Sequence, residues 1–388
     1  MQTVNVLTDE TLKETLEHFA EAANNYDRDF PDPVSRAHLA VEKVPTGFPA
    51  LDHALDGGLA LGSLTVLRGC ASSGKTTFAT QLAKHLIAQG YYVTYYGCED
   101  SYVTLRTKMV TQELFQLSGC DPSSTPSTSD QLNPKIYNEF PPELWAGIKT
   151  CHTELATVLK REAPECCGSN FLYIDCNTLS SADIVHYSQA LRNATSKAPI
   201  VIVDYLQRLN SPLANYTGSG ADKASIDANI NMLQNLAHDM STIVIVLGSV
   251  AKTAFKAPLA DDADEGSNRI MHAADNLFVL SPSEAKSKKS KESSEVTPDT
   301  RDMQVYVSKQ RGGRTKYTVP LLYYPSADFF YCKDMPTGDD RIVHKRYNDL
   351  TALDLVEDEV FDDAELELLG FVPDETEDDF KSGEETTA

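Results

Sequence analysis

The chain has 388 residues, 41% of them hydrophobic, and a formal net charge of −23. That apolar content is enough for a large core, and no apolar run approaches the roughly 20 residues of a membrane-spanning helix. With a polar, acidic start and nothing like a leader, the expectation is a soluble cytoplasmic protein without membrane contact.

The acidity would argue against a nucleic-acid partner, yet residues 351–388 hold 15 acidic side chains against Lys381, leaving −9 for everything before the tail. A local basic surface is therefore compatible with the composition. The eight cysteines form no CxxC pair and no metal-ligand spacing with the histidines, so they read as reduced thiols rather than a disulfide or zinc framework.

Residues 9–23 carry Leu12, Leu16, Phe19, Ala20 and Ala23 on one helical face, which must pack on its own domain or on a neighbouring subunit. A linker, Tyr26–Val44, leads into PTGFPALDHALDGGLALG. The apolar strand Leu64–Leu67 then runs into GCASSGKT, Gly69–Thr76, after which Phe78, Ala79, Leu82, Ala83 and Leu86 recur at helical spacing. Strand, glycine turn and helix is the setting in which GxxxxGK[ST] binds phosphate. The backbone of Gly69, Cys70, Ala71, Ser72, Ser73, Gly74, Lys75, Thr76 and Thr77 would surround it at the helix N-terminus. Lys75 would reach the β and γ phosphates and the Thr76 hydroxyl would take a place on Mg²⁺, which makes ATP and Mg²⁺ the expected cofactors.

The strand Tyr92–Tyr96 ends in GCED, Gly97–Asp100. Glu99 is there the candidate to orient and deprotonate a water, or it is a charge favoured by the dipole of a helix starting near Ser101. Ser118–Asn133 reads as a loop with little fixed structure. A helix over Pro142–Lys160, a strand over Phe171–Asp175 and a helix over Ser181–Leu191 follow. In PIVIVDYLQRL the buried strand Ile200–Val203 ends in Asp204, a carboxylate placed to hold the Mg²⁺ water shell.

A polar loop, Asn210–Lys223, precedes a helix marked by Ile226, Ile230, Leu233, Ala237 and Met240, then a strand over Thr242–Leu247. In the loop beyond it Lys252 and Lys256 flank Phe255, an arrangement that can meet a nucleic-acid backbone and stack a base, or simply be solvated. The strand Asn276–Leu280 leads into a Ser/Lys/Glu-rich connection expected to be mobile. Met303–Ser308 then delivers KQRGGR, Lys309–Arg314, ahead of the β-rich TKYTVPLLYY. Cations at that strand end can reach a nucleotide held by an adjacent subunit, or be solvated at a turn.

In this order PTGFPALD, GCASSGKT, a glutamate after the second strand, IVDYLQ and KQRGG resemble the motor domain of the DnaB-like replicative helicases, within the RecA-like ATPases, from about Val44 to Tyr331. The resemblance implies an α/β RecA-like P-loop NTPase core with a mainly parallel twisted sheet. A short N-terminal helical segment and linker, 1–43, would precede it and a C-terminal extension with the acidic tail, 332–388, would follow. It further implies a ring, usually a hexamer, with ATP between subunits and single-stranded DNA in the channel. On it Glu99 becomes the catalytic carboxylate, Asp204 the Mg²⁺-associated acid, Lys309 and Arg311 the cations supplied in trans, and Gln207 a nucleotide sensor. Loops Asn210–Lys223 and Gly248–Arg269, the latter with Lys252 and Lys256, would face the channel.

Two departures stand out. Gly248 and Ser249 replace the Ser-Gln that the family usually places after this strand, and neither the family's helical N-terminal domain nor a primase domain is expected here. The expected function is a ring-forming, ATP-dependent DNA helicase of replication. The alternatives are a DNA-stimulated ATPase that remodels recombination or repair complexes without unwinding, and a nucleotide-switched assembly protein. The tail, which mixes acid with Leu353, Leu355, Phe361, Leu366 and Leu369, is either solvated, a dock for a polymerase or loader, or an occupant of the channel.

Overall fold

The computed structural model describes residues 42–160, 168–213, 223–249, 268–283, 300–332 and 335. Lys43–Val44 (β1) and Leu59–Ala60 (β2) pair as a small antiparallel ribbon around the helix Pro49–Ala54 (α1). Leu64–Gly69 (β3) leads through the glycine turn to Lys75–Ala88 (α2) and then Val93–Gly97 (β4). Tyr102–Leu117 (α3), the single turns Thr128–Gln131 (α4) and Pro134–Tyr137 (α5), and Pro142–Lys160 (α6) precede Phe171–Asp175 (β5). Ser181–Thr195 (α7), Ile200–Asp204 (β6), Lys223–Met240 (α8), Val244–Ser249 (β7) and Asn268–Ala273 (α9) follow. Asn276–Pro282 (β8), Arg301–Gln310 (β9), Tyr317–Tyr324 (β10) and Phe329–Tyr331 (β11) complete the described chain.

Nine strands form one sheet in the order β11-β10-β9-β8-β3-β7-β6-β4-β5. From β8 to β5 every pairing is parallel, while β9, β10 and β11 extend the sheet antiparallel. The sequence explains the division. Parallel strands covered on both faces are continuously apolar, as in Ile200–Val203 and Val244–Leu247, whereas over Met303–Val307 β9 buries alternate residues, Met303, Val305 and Val307.

Helices cover both faces. Phe78, Leu82 and Leu86 of α2, Leu105, Met109 and Phe115 of α3 and Leu155 of α6 build the core on one side. Ile184 of α7 and Ile226, Ile230 and Leu233 of α8 build it on the other. Phe78 stacks on Phe48 at 4.3 Å and meets Phe330 edge-on at 5.9 Å, so α2 is clamped between the α1 ribbon and the β11 edge. Burying each such aromatic contributes about 1.5–3 kcal/mol. Among the described residues no helix is long and apolar enough to cross a membrane.

Two expectations are corrected. Ser118–Asn133 is not shapeless. The Asp121, Ser127 and Asn133 side chains each accept a backbone N–H at the head of a short turn, and Thr128 is buried with its hydroxyl 3.0 Å from that of Thr111. Residues that read as loop-formers are here acting as caps. Nor are all the cysteines thiols, because Cys98 and Cys176 form a disulfide. Each follows the last residue of its strand, and Gly97 pairs with Asp175, so the register of β4 on β5 brings together cysteines separated by 78 residues. The helix expected at 9–23, residues 214–222, Lys252 and Lys256, the connection 284–299 and the tail 351–388 lie outside the described residues.

A crosslink closing a loop of that length restricts the unfolded chain. The paired C98S/C176S variant should therefore lose about 2–4 kcal/mol in chemical denaturation, with a crosslinked peptide joining the two cysteines in the non-reduced parent. Equal stability and no crosslinked peptide would contradict the pairing.

Candidate functional site

The glycine turn is shaped by its surroundings. A side chain on Gly69 would lie 2.6 Å from Ser73 Oγ and 2.8 Å from the Leu280 carbonyl oxygen; Gly74 has φ +87° and Phe330 sits 2.7 Å from where its Cβ would be. Only glycine fits either place. Residues 69–77 thus wrap the N-terminus of α2, with the first-turn N–H groups free of intrahelical partners as in any helix and turned toward the loop. Lys75 Nζ donates 3.0 Å bonds to the carbonyls of Gly69 and Cys70, folding the lysine over the turn. Burial lowers its pKa, opposed by the charge of Asp204. Thr77, the third residue of the helix, donates to Asp328 Oδ1 at 3.1 Å and so faces the β10–β11 edge.

Asp204 ends β6 and is buried. Its Oδ2 accepts from Thr76 Oγ1 at 2.8 Å and from Tyr95 Oη at 2.8 Å. Burial raises its pKa above the usual carboxylate value, and these two hydrogen bonds hold it back. The Thr76 hydroxyl and Asp204 carboxylate are hard oxygens side by side at the mouth of a phosphate turn, a donor set that suits Mg²⁺. That ion takes one or two protein ligands and completes its shell with substrate phosphate and water. Among the described residues no group of three His, Cys, Asp or Glu side chains could hold a metal by itself.

Glu99 is exposed, beyond the end of β4, and its charge couples to both Lys75 and Asp204. It stands two residues ahead of Ser101, whose side chain caps α3 by accepting the Thr104 N–H, so the cap is filled without it. The turn that carries Glu99 is fixed. Tyr173 Oη donates to the Asp100 carbonyl at 2.7 Å, Lys108 pairs with Asp100 at 2.6 Å, and the Cys98–Cys176 bridge ties its base to β5. Gln207 sits in the 3-10 turn after β6, half-buried, with Oε1 unbonded and Nε2 4.0 Å from where a Cβ on Gly248 would be. Ser249 ends β7 in register with Gly69.

Lys309 and Arg311 lie elsewhere. Leu280 pairs with Gly69, whereas the other end of the same strand, Asn276, pairs with Gln310, and the Arg311 N–H donates to the Asp275 carbonyl. The KQRGGR turn is therefore about 17 Å along the strands from the glycine turn, at about 3.3 Å per residue. There Lys309 Nζ donates to the Met271 carbonyl at 2.8 Å, and the half-exposed Arg311 pairs with Asp275 at 3.0 Å. The structure thus brings Lys75, Thr76, Glu99 and Asp204 together and separates Lys309 and Arg311 from them. Sequence reasoning missed Tyr95, hidden as one more apolar strand residue, and Asp275, which precedes a strand as Asp204 ends one. It also missed Asp328, whose place against Thr77 depends on an unforeseen strand, β11.

The fold and this site define a RecA-like P-loop ATPase domain. The family described as DnaB-like helicase C terminal domain matches residues 43–119 and 148–331, and the chain belongs to it. Among solved structures, one ATPase domain superposes with a TM-score of 0.60 at 20% identity, covering 84% of this chain and 100% of that one. A DnaB-like replicative helicase, solved for its interactions with primase, gives 0.61 at 21% identity, covering 78% and 66%. At those identities the likeness concerns fold. The circadian clock protein KaiC3 of Synechocystis is 39% identical over 69 residues, 18% of this chain, and KaiC of Parasynechococcus marenigrum 33% over 70 residues, 17% of it. The chain spans 14% of the length of each of these relatives.

Replacing Lys75 removes a charge-assisted contact of about 1.5–3 kcal/mol. K75A should therefore bind a fluorescent ATP analogue about 10- to 100-fold more weakly than the parent, and unchanged affinity would contradict the assignment of the phosphate site.

Proposed function

We propose that this chain is the ATP-hydrolysing motor of a ring-forming DNA helicase that translocates on single-stranded DNA during replication. Support comes first from one observation: the two cations of KQRGGR stand at the opposite end of the sheet from their own phosphate turn. Cations so placed act on a nucleotide only when another subunit presents it, so a complete site needs a head-to-tail neighbour and repetition closes a ring.

In such a site the amides of residues 69–77 and Lys75 hold the β and γ phosphates. Thr76 and Asp204 would hold Mg²⁺, which would supply positive charge to offset that of the phosphates. Glu99 takes a proton from the attacking water, and the neighbour's copies of Lys309 and Arg311 stabilise the charge that builds on the transferred phosphoryl group. Lys75 must leave the Gly69 and Cys70 carbonyls as nucleotide enters. Lys252 and Lys256 are assigned to the DNA path, Gln207 to nucleotide sensing, and the tail 351–388 to docking a polymerase or loader in the same intracellular compartment.

A second reading is favoured by Gly248. With no side chain there and Ser249 beside Gly69, coupling between DNA and hydrolysis can differ from the helicases, as in a remodelling ATPase or a nucleotide-switched assembly protein. ATP hydrolysis with and without single-stranded DNA, run beside strand displacement on a forked duplex, separates the three. DNA-stimulated hydrolysis with unwinding is the expected result. Stimulation without unwinding would overturn the helicase in favour of the remodeller, and no DNA response would favour the switch.

A further inference from the structure

The geometry points to Tyr95 as a positioning residue for the Mg²⁺-associated acid, an inference that rests on the reading of Asp204 given above. Tyr95 is the third residue of β4 and its side chain is 1% exposed. Strand β4 pairs with β6 so that Tyr95 faces Ile202 and Gly97 faces Asp204. Tyr95 and Asp204 are therefore diagonal neighbours on one face, about 7–8 Å apart at the backbone, a span that a long side chain closes. The phenol closes it, reaching Asp204 Oδ2 at 2.8 Å.

Thr76 and Tyr95 make the side-chain hydrogen bonds to that carboxylate among the described residues. They differ in what nucleotide asks of them. Thr76 belongs to the phosphate turn, and its hydroxyl must turn from Asp204 toward the cation. Tyr95 belongs to the sheet, has its ring wedged edge-on against Phe171 at 6.3 Å, and is further held by a side-chain hydrogen bond with Thr80, so it need not move with the phosphate turn. When Thr76 leaves, a buried carboxylate keeps one donor, and that donor fixes the plane in which its free oxygen is presented. A buried charge with no donor would be costly and free to rotate. A phenylalanine at this position would satisfy the same packing, so packing alone does not call for the hydroxyl.

The test uses the full chain and a fluorescent ATP analogue, with affinity measured in EDTA and then across a Mg²⁺ titration. Y95F keeps the ring and removes the donor. It should bind nucleotide in EDTA as the parent does, showing an intact fold and phosphate turn, while needing about tenfold more Mg²⁺ for half-saturation, at the low end of the range for outer-shell substitutions at metal sites. Should Y95F not fold, Y95M, slimmer and flexible but likewise without a donor, takes its place. D204N is measured alongside and should lose the Mg²⁺ response. An unchanged Mg²⁺ requirement in the Tyr95 variant with a lost response in D204N would overturn the role of Tyr95 alone. A full Mg²⁺ response in D204N would overturn the reading of Asp204 on which it rests.

Discussion

The register of β8 is the constraint on which the site depends. By pairing Leu280 with Gly69 on one side and Asn276 with Gln310 on the other, it fixes the phosphate turn at one end of the sheet and the KQRGGR cations at the other. Neither end can migrate, because strand register is held wherever both faces are buried and a one-residue slip would turn every side chain over. Leu277, Phe278, Val279 and Leu280 are all buried, on alternating faces. The separation of the phosphate turn from the KQRGGR cations within one chain thus follows from core packing.

The same logic explains how the phosphate end is kept in shape. Strands β3, β7, β6 and β4 deliver Gly69, Ser249, Asp204 and Gly97 to one edge in parallel register. On that edge polar side chains from strands and helices meet: Thr76 and Tyr95 on Asp204, Tyr173 and Lys108 on the turn behind Glu99. On the far side β11 packs along the second turn of α2, where Gln81 exchanges two hydrogen bonds with the Phe330 backbone. The result is a preformed cradle in which Lys75 is bonded to the Gly69 and Cys70 carbonyls and Thr76 to Asp204.

Much of this was legible in the sequence because local signals carried it. The phosphate turn announced itself by spacing, and the buried parallel strands announced themselves by apolar runs that end in Gly97 or Asp204. What escaped depends on contacts distant in sequence. Nothing near Cys98 points to Cys176, since only the β4–β5 register joins them. Tyr95 satisfied the strand pattern so well that its hydroxyl carried no visible message. Residues 118–133, most of them in the segment 120–147 that separates the two family-matched parts, looked like loop because their Ser, Asp and Asn residues serve as caps for short turns.

The central claim is that one nucleotide is served by two subunits, and complementation tests it most directly. K75A subunits lack a working phosphate turn and R311A subunits lack a cation for their neighbour, so each preparation alone should be nearly inactive in ATP hydrolysis. Mixed before assembly, they create interfaces that join the intact turn of one to the intact cation of the other, and hydrolysis should return in the mixture. A mixture as inactive as its parts, in rings shown to contain both subunits, would contradict the shared site.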